Sequence, residues 1–149
     1  MTVQKMLESH HLIIRIKAAW QDAVPPDRQN ISRPTNDDEG VAAYFAGKSW
    51  HGHSATRLRA LDFAPNVFTE QAFAYFLPAY LIADIEDPVA SDTNVERVLY
   101  WLGQGPRVIG LLSPEQKAVL RDYVKFVCAR DGDGYDAFAQ AVVHLLDQP

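Results

Sequence analysis

One stretch of the chain carries apolar residues on every side of the helix that it predicts. Between Thr69 and Pro88 the sequence reads TEQAFAYFLPAYLIADIEDP, and no charged side chain occurs from Ala72 to Ala83. Apolar residues recur there at spacings of three and four, which is typical of a helix, and further apolar residues fill the opposite side. The hydroxyl of Thr69 can accept hydrogen bonds from the unpaired N–H groups of the first turn. We therefore predict a central helix over about 69–87, with other helices packed around it.

Pro78 interrupts this helical pattern near its middle. A proline lacks the N–H that would bond to the carbonyl of Ala74, which costs about 3 kcal/mol in an ordinary helix interior. Two interpretations follow. In the simpler one the helix accommodates Pro78 as a bend within the core. In the other, the freed carbonyl joins Tyr75 and Tyr80 in a polar pocket.

Helical periodicity and capping residues predict six further helices along the chain. They cover residues 3–24, 37–46, 54–61, 93–102, 113–130 and 135–147. No strand pattern and no repeat of fixed period is evident in the sequence. The fold predicted is therefore all-α: a single compact domain, 1–149, of six or seven helices around the central proline-containing helix.

The first of these helices is predicted to turn a broad apolar face towards the core. This face comprises Val3, Met6, Leu7, His10, Ile13, Ile14, Lys17, Trp20 and Val24. A row formed by Leu12, Ile16 and Trp20 widens it, so the helix is expected to contact two others.

Composition and charge limit the classes of function. The chain has 149 residues, of which 48% are hydrophobic and 22% charged, as in ordinary globular proteins. Its net charge of −5 argues against a general nucleic-acid binder and permits a basic protein partner. The N-terminus lacks the continuous apolar segment of a secretory signal, and the central stretch is shorter than the about 20 apolar residues of a membrane span. We expect a cytoplasmic protein that binds neither nucleic acid nor membrane.

Residues for catalysis or metal binding are few. His51 and His53 have a spacing found in metal sites, but no third ligand accompanies them, so no metal and no cofactor is predicted. The single cysteine excludes an internal disulfide. One alternative remains open, in which Tyr75, Tyr80, His51 and His53 surround a groove at Pro78. Such a groove would serve a small-molecule-binding regulator or an enzyme.

A run of acidic residues follows the central helix and precedes Arg97. Its members lie within 13 positions and are Asp84, Glu86, Asp87, Asp92 and Glu96. Such a run is either a solvated rim or a docking surface for a basic protein, because acidic patches raise association rates and specificity. Tyr100 and Trp101 come directly afterwards and can act as aromatic anchors inside a charged rim. The function predicted is non-catalytic protein binding, by a monomer or a homodimer.

Three motifs resemble those of a family of small bacterial proteins with a domain of unknown function. The segment FAGKSW at 45–50 is similar to the F-x-G-K-x-W motif of that family, and YFLPAY at 75–80 is similar to its Y-[YF]-L-P-A-[YF] block. LSPEQ at 112–116 resembles the family as well. The resemblance covers about 37–127 and implies a bacterial source and a shared fold, without an activity. In size, acidity and helical character the chain also resembles immunity proteins, which implies a basic toxin as one form of partner.

Overall fold

A computed structural model describes residues 2–34, 40–132 and 136–148. These residues contain helices and no strand, apart from an isolated bridge between Ser32 and Phe68. The helices of the described residues are α1 (Val3–Ala19), α2 (Val41–Phe45), α3 (Ala55–Ala60), α4 (Ala64–Val67), α5 (Glu70–Glu86), α6 (Pro88–Ser91), α7 (Asn94–Gly103), α8 (Pro106–Leu111), α9 (Pro114–Asp131) and α10 (Asp136–Leu146). The predicted all-α fold is confirmed.

The predicted central helix is α5. The hydroxyl of Thr69 accepts a hydrogen bond from the N–H of Ala72 at 3.0 Å, which starts the helix as expected. Of its 17 residues 13 are buried. Helices α1, α3, α6, α7 and α8 contact it, and the buried apolar side chains form one cluster. The helix is therefore enclosed by its neighbours, because it has no polar side that could face water.

The helix continues through Pro78, and the side chain of Trp20 supplies the hydrogen-bond donor that the proline lacks. The indole Nε1–H of Trp20 donates to the carbonyl oxygen of Ala74 at 2.9 Å, and both groups are buried. This carbonyl is the one that an N–H at position 78 would otherwise bond. The freed carbonyl is thus satisfied by the indole of Trp20.

Side chains from two other segments bond to the end of α1. The indole N–H of Trp50 donates to the carbonyl of Trp20 at 3.1 Å, and the side-chain amide of Gln116 donates to the carbonyl of Ala19 at 3.1 Å. The helix consequently ends at Ala19, and the predicted end at Val24 is wrong.

Three short helices that the sequence pattern does not predict each carry a proline in the first turn. These are α4, α6 and α8, with Pro65, Pro88 and Pro106. A proline at the first helical position has a suitable φ and has no N–H to leave unpaired. The pattern marks Pro88 and Pro106 only as ends of neighbouring helices, whereas each of them begins a new one.

Two predicted helices begin outside the described residues. The start predicted at 37 lies in 35–39, and the start predicted at 135 lies in 133–135. Within the described part of the chain, α2 begins at Val41 and α10 at Asp136.

Only part of the apolar face predicted for the first helix faces the core: Trp20 is buried and Ile13 is partly buried against it, whereas most of the other members are exposed. The buried residues of α1 are Leu12 and Ile16, which continue to the buried Trp20 at spacings of four. His10 and Lys17 are exposed. Four large apolar side chains of the predicted face are at least half exposed: Val3, Met6, Leu7 and Ile14. Both rows have helical spacing, so periodicity alone could not decide which of them faces inward.

Candidate functional site

Asp84 is buried and does not belong to an exposed acidic surface. Only 1% of it is exposed. The hydroxyl of Tyr123 donates to its Oδ2 at 2.7 Å, and Nη2 of Arg130 lies 3.2 and 3.1 Å from its two carboxylate oxygens. Burial raises the pKa of Asp84, while Arg130 and Tyr123 oppose that rise. The expectation that Asp84 contacts a partner is therefore wrong, because its carboxylate joins α5 to α9.

The other acidic residues of the run differ in their surroundings. Asp87 accepts a hydrogen bond in the first turn of α6 and so caps that helix. The carboxylate of Asp92 lies 3.4 Å from Nε of Arg59. Glu86 is exposed at the end of α5. Only part of the run is therefore free to meet a partner, since Asp84 is enclosed and two further carboxylates have contacts within the chain.

Three of the predicted partner-binding residues lie together in one cleft of about 490 Å³. Tyr100 is 42% exposed, and its ring meets those of Trp101 and Phe138 edge-on at 5.2 and 5.9 Å between centroids. We call this site the aromatic cleft; it is lined by Thr93, Glu96, Arg97, Tyr100, Trp101 and Phe138. The sequence pattern associated Glu96, Tyr100 and Trp101 because they are neighbours in the chain. Phe138 of α10 joins them only in the fold.

Trp101 also lines a second concavity of about 480 Å³. Phe68 and Phe73 are among the apolar residues of this second cleft, and Arg107 and Glu70 are among its polar residues. The half-buried Trp101 thus contributes to both concavities. A tryptophan in such a place suits contact with side chains of a partner surface.

Arg97 is held at the edge of the aromatic cleft. Its guanidinium lies 5.2 Å from the ring centre of Phe63, which is 42% exposed, and its Nε lies 3.5 Å from Asp62. Asp62 also pairs with Arg59 at 2.7 Å. The positive charge of Arg97 is therefore partly balanced within the chain, and Phe63 adds an exposed aromatic ring nearby.

The residues of the alternative pocket do not share one cavity. Tyr75 lines a cavity of about 410 Å³ at the end of α1, whereas His51 and His53 line a different one of about 180 Å³. Pro78 is buried and lines neither of them. Tyr80 is also buried, its hydroxyl has no hydrogen-bond partner among the described residues, and burial raises its pKa. The expectation of a single groove around Pro78 is not met.

His53 is bonded through both of its ring nitrogens. Nε2 lies 2.7 Å from the carbonyl oxygen of Ser49, and Nδ1 lies 2.6 Å from the hydroxyl of Tyr44. Since a carbonyl can only accept, Nε2 carries the proton and the hydroxyl of Tyr44 donates to Nδ1. His51 stacks on Trp50 at 3.6 Å between centroids. Across the described ranges, no three His, Cys, Asp or Glu residues are grouped so that they could hold a metal ion.

The environment of His53 predicts a pH-dependent stability. Burial lowers its pKa from the ordinary value of 6.5, so the unfolded chain takes up the proton more readily than the folded chain. The free energy of unfolding should then decrease as the pH falls below about 6.5. In urea unfolding between pH 7 and pH 5, His53→Gln should reduce this slope, and the exposed control His144→Gln should not. If the free energy of unfolding depended on pH equally in His53→Gln and in the unchanged chain, His53 would not be the source of the pH dependence.

No protein-family model, no curated protein and no solved structure matches this chain. The resemblance of its motifs to a small bacterial family therefore stays a prediction. Within residues 2–34, 40–132 and 136–148, none of the helices has the length and apolar character needed to cross a membrane.

Proposed function

We propose that the protein is a non-catalytic protein-binding module and that the aromatic cleft is its contact surface. The observation that carries this proposal is the group of partly exposed rings formed by Tyr100, Trp101 and Phe138 beside the carboxylate of Glu96. Tyrosine and tryptophan supply most of the binding energy in many interfaces, where they fill depressions at the centre of the contact. A surrounding polar rim then excludes water from that centre.

The partner that we propose is a basic protein. The chain carries a net charge of −5. In the part of the chain that the structure describes, Glu96 has no ion-pair partner, whereas Arg97 in the same cleft is close to Asp62. The charge left for a partner at this cleft is therefore negative. Charge complementarity of this kind steers encounter and fixes the orientation of the complex.

The specific form that we propose is a cytoplasmic bacterial immunity protein that neutralises a basic toxin by covering it. A small, acidic, all-helical chain is suited to this role, because opposite charge speeds the capture of the toxin. A regulator or an enzyme has less support, since Tyr75, Tyr80 and the histidines lie in separate places.

Truncating the two aromatic anchors should strongly weaken binding. A tagged chain would be used to capture its partner from cells of the source organism at low salt, and the affinity of the purified pair would then be measured. Loss of a central anchor costs about 2 kcal/mol or more, so the combined Tyr100→Ala and Trp101→Ala variant should bind at least about 30-fold more weakly. Val89→Ala removes an apolar side chain that is 88% exposed on α6, away from the cleft, and should bind normally.

A charge variant at the same cleft tests the proposed chemistry of the partner. Glu96→Gln should slow association and weaken its dependence on salt, because a rim charge acts mainly on the encounter rate. A partner that is itself acidic, or that binds the double aromatic variant as tightly as the unchanged chain, would refute the proposal. Protection of cells from a toxin encoded beside this gene would further support the immunity role.

A further inference from the structure

The first half of α1 does not pack on the rest of the described chain. The helix is capped by Thr2, whose hydroxyl accepts from the N–H of Lys5 at 3.2 Å. Every residue from Thr2 to His11 is exposed except Ser9, which is half-buried. The exposed fractions of its outward apolar residues are 74% for Val3, 57% for Met6, 53% for Leu7 and 50% for Ile14. A continuous apolar surface of this kind on a globular protein usually marks an interaction site.

This surface follows one side of the helix, and we call it the α1 stripe. Its members are Val3, Met6, Leu7, His10, Ile13, Ile14 and Lys17, of which Ile13 lies at the edge next to the core and is partly buried. They are placed symmetrically about His10, with apolar residues three and four positions before and after it. Val3 and Lys17 stand seven positions away on either side. A surface that is symmetric along its own length can contact a second copy of itself through a two-fold axis.

We propose that the α1 stripe pairs with the same stripe of a second copy, in antiparallel orientation, with His10 at the two-fold axis. In this arrangement Met6 faces Ile14 of the second copy. Leu7 then faces Ile13 of the second copy, and Val3 packs on the aliphatic part of its Lys17. All apolar members of the stripe are covered, without a change in the fold of either copy.

The charges on α1 allow this pairing. Arg15 is paired with Asp122 of α9 at 2.7 Å. The other formal charges of the helix are the positive charges of Lys5 and Lys17 and the negative charge of Glu8. The repulsion between two such helices is small and is screened at physiological ionic strength. An anionic membrane is a poorer occupant, because the whole chain carries a net charge of −5.

The length of the stripe sets the area that the dimer can bury. From Val3 to Lys17 it extends about 21 Å at 1.5 Å per residue. Two helices paired over this length bury on the order of 1,000 Å² in total, which is the lower limit for a specific interface. The dimer is therefore expected to be weak, with a dissociation constant of about 10 to 100 μM.

Sedimentation equilibrium of the full chain tests the proposal. Between about 1 μM and 1 mM the chain should pass from monomer to dimer, and Leu7→Glu should raise the dissociation constant at least tenfold. Leu7 is exposed, so this variant should fold normally. The matched control is Val89→Glu, at a position that is 88% exposed on α6, and it should dimerise like the unchanged chain. A chain that stays monomeric at 1 mM, or a Leu7→Glu variant that dimerises normally, would overturn the proposal.

Disulfide trapping tests the orientation of the two helices. In a Cys128→Ser background, His10→Cys should form a covalent dimer under mild oxidation, because the two-fold axis brings both thiols together. A mixture of Val3→Cys and Lys17→Cys chains should cross-link, whereas Val3→Cys alone should not. Self-linked Val3→Cys, or the absence of any cross-link, would contradict antiparallel pairing at His10.

Discussion

Replacing Asp84 by alanine is expected to lower the free energy of unfolding by about 2 to 4 kcal/mol, because a buried hydroxyl and a partly buried guanidinium each lose a charged hydrogen-bond partner. The variant removes one of the two carboxylates that Nη2 of Arg130 contacts, while Asp131 stays at 2.7 Å, and it leaves the buried hydroxyl of Tyr123 without an acceptor. Both losses fall on the junction between α5 and α9. The measurement is the midpoint and slope of urea unfolding.

The matched control for this prediction lies two positions along the chain. Glu86→Ala removes an exposed carboxylate from the same helix and should change the free energy of unfolding by less than about 0.5 kcal/mol. Replacing both partners, with Asp84→Leu and Arg130→Met, should recover only part of the lost stability, because the guanidinium is removed but the buried hydroxyl of Tyr123 still lacks an acceptor. Equal effects of Asp84→Ala and Glu86→Ala would show that Asp84 is not enclosed.

Trp20→Phe is expected to lower the free energy of unfolding by about 2 to 4 kcal/mol, because it removes a buried hydrogen bond and part of a fully buried side chain. The variant removes the indole N–H that donates to Ala74, and Pro78 offers no donor in its place. Trp101→Phe makes the same chemical change at a half-buried site and should cost less than about 1 kcal/mol. The free energies of unfolding of the two variants would be compared by thermal and urea unfolding. Similar decreases in both variants would contradict the role of Trp20 as the donor to Ala74.

The central helix could be predicted because its signals are local. Thr69 caps it, and a stretch without any charge must be covered on all sides. The start of α9 could be predicted for the same reason: Ser113 and Gln116 exchange the two hydrogen bonds of a capping box, at 2.9 and 3.0 Å. Both features depend on residues three positions apart, which a sequence displays directly.

The role of Asp84 could not be predicted in this way. Its partners Tyr123 and Arg130 are 39 and 46 positions away, so their contact depends on how α9 packs. The one local signal is position: Asp84 stands on α5 at helical spacing from the buried Leu77 and Leu81. A helix buried on most sides will also bury an acid placed in this row.

The candidate site was only partly predictable for a related reason. Glu96, Tyr100 and Trp101 are close in sequence and lie on one helix, so their association could be foreseen. Phe138 reaches them from α10, and nothing in its own segment indicates that contact. The outward face of α1 shows the same limit, because two rows of helical spacing compete and only packing against α5 and α9 selects between them.

Trp20 replaces the hydrogen-bond donor that Pro78 lacks, and for this reason α5 stays continuous inside its neighbours. A double-mutant cycle of Trp20→Phe and Pro78→Ala measures this most directly, because alanine restores an N–H that can donate to Ala74. We expect the loss in free energy of unfolding caused by Trp20→Phe to be at least about 1 kcal/mol smaller in the Pro78→Ala background than in the unchanged chain. Costs that agree within about 0.3 kcal/mol in the two backgrounds would contradict it.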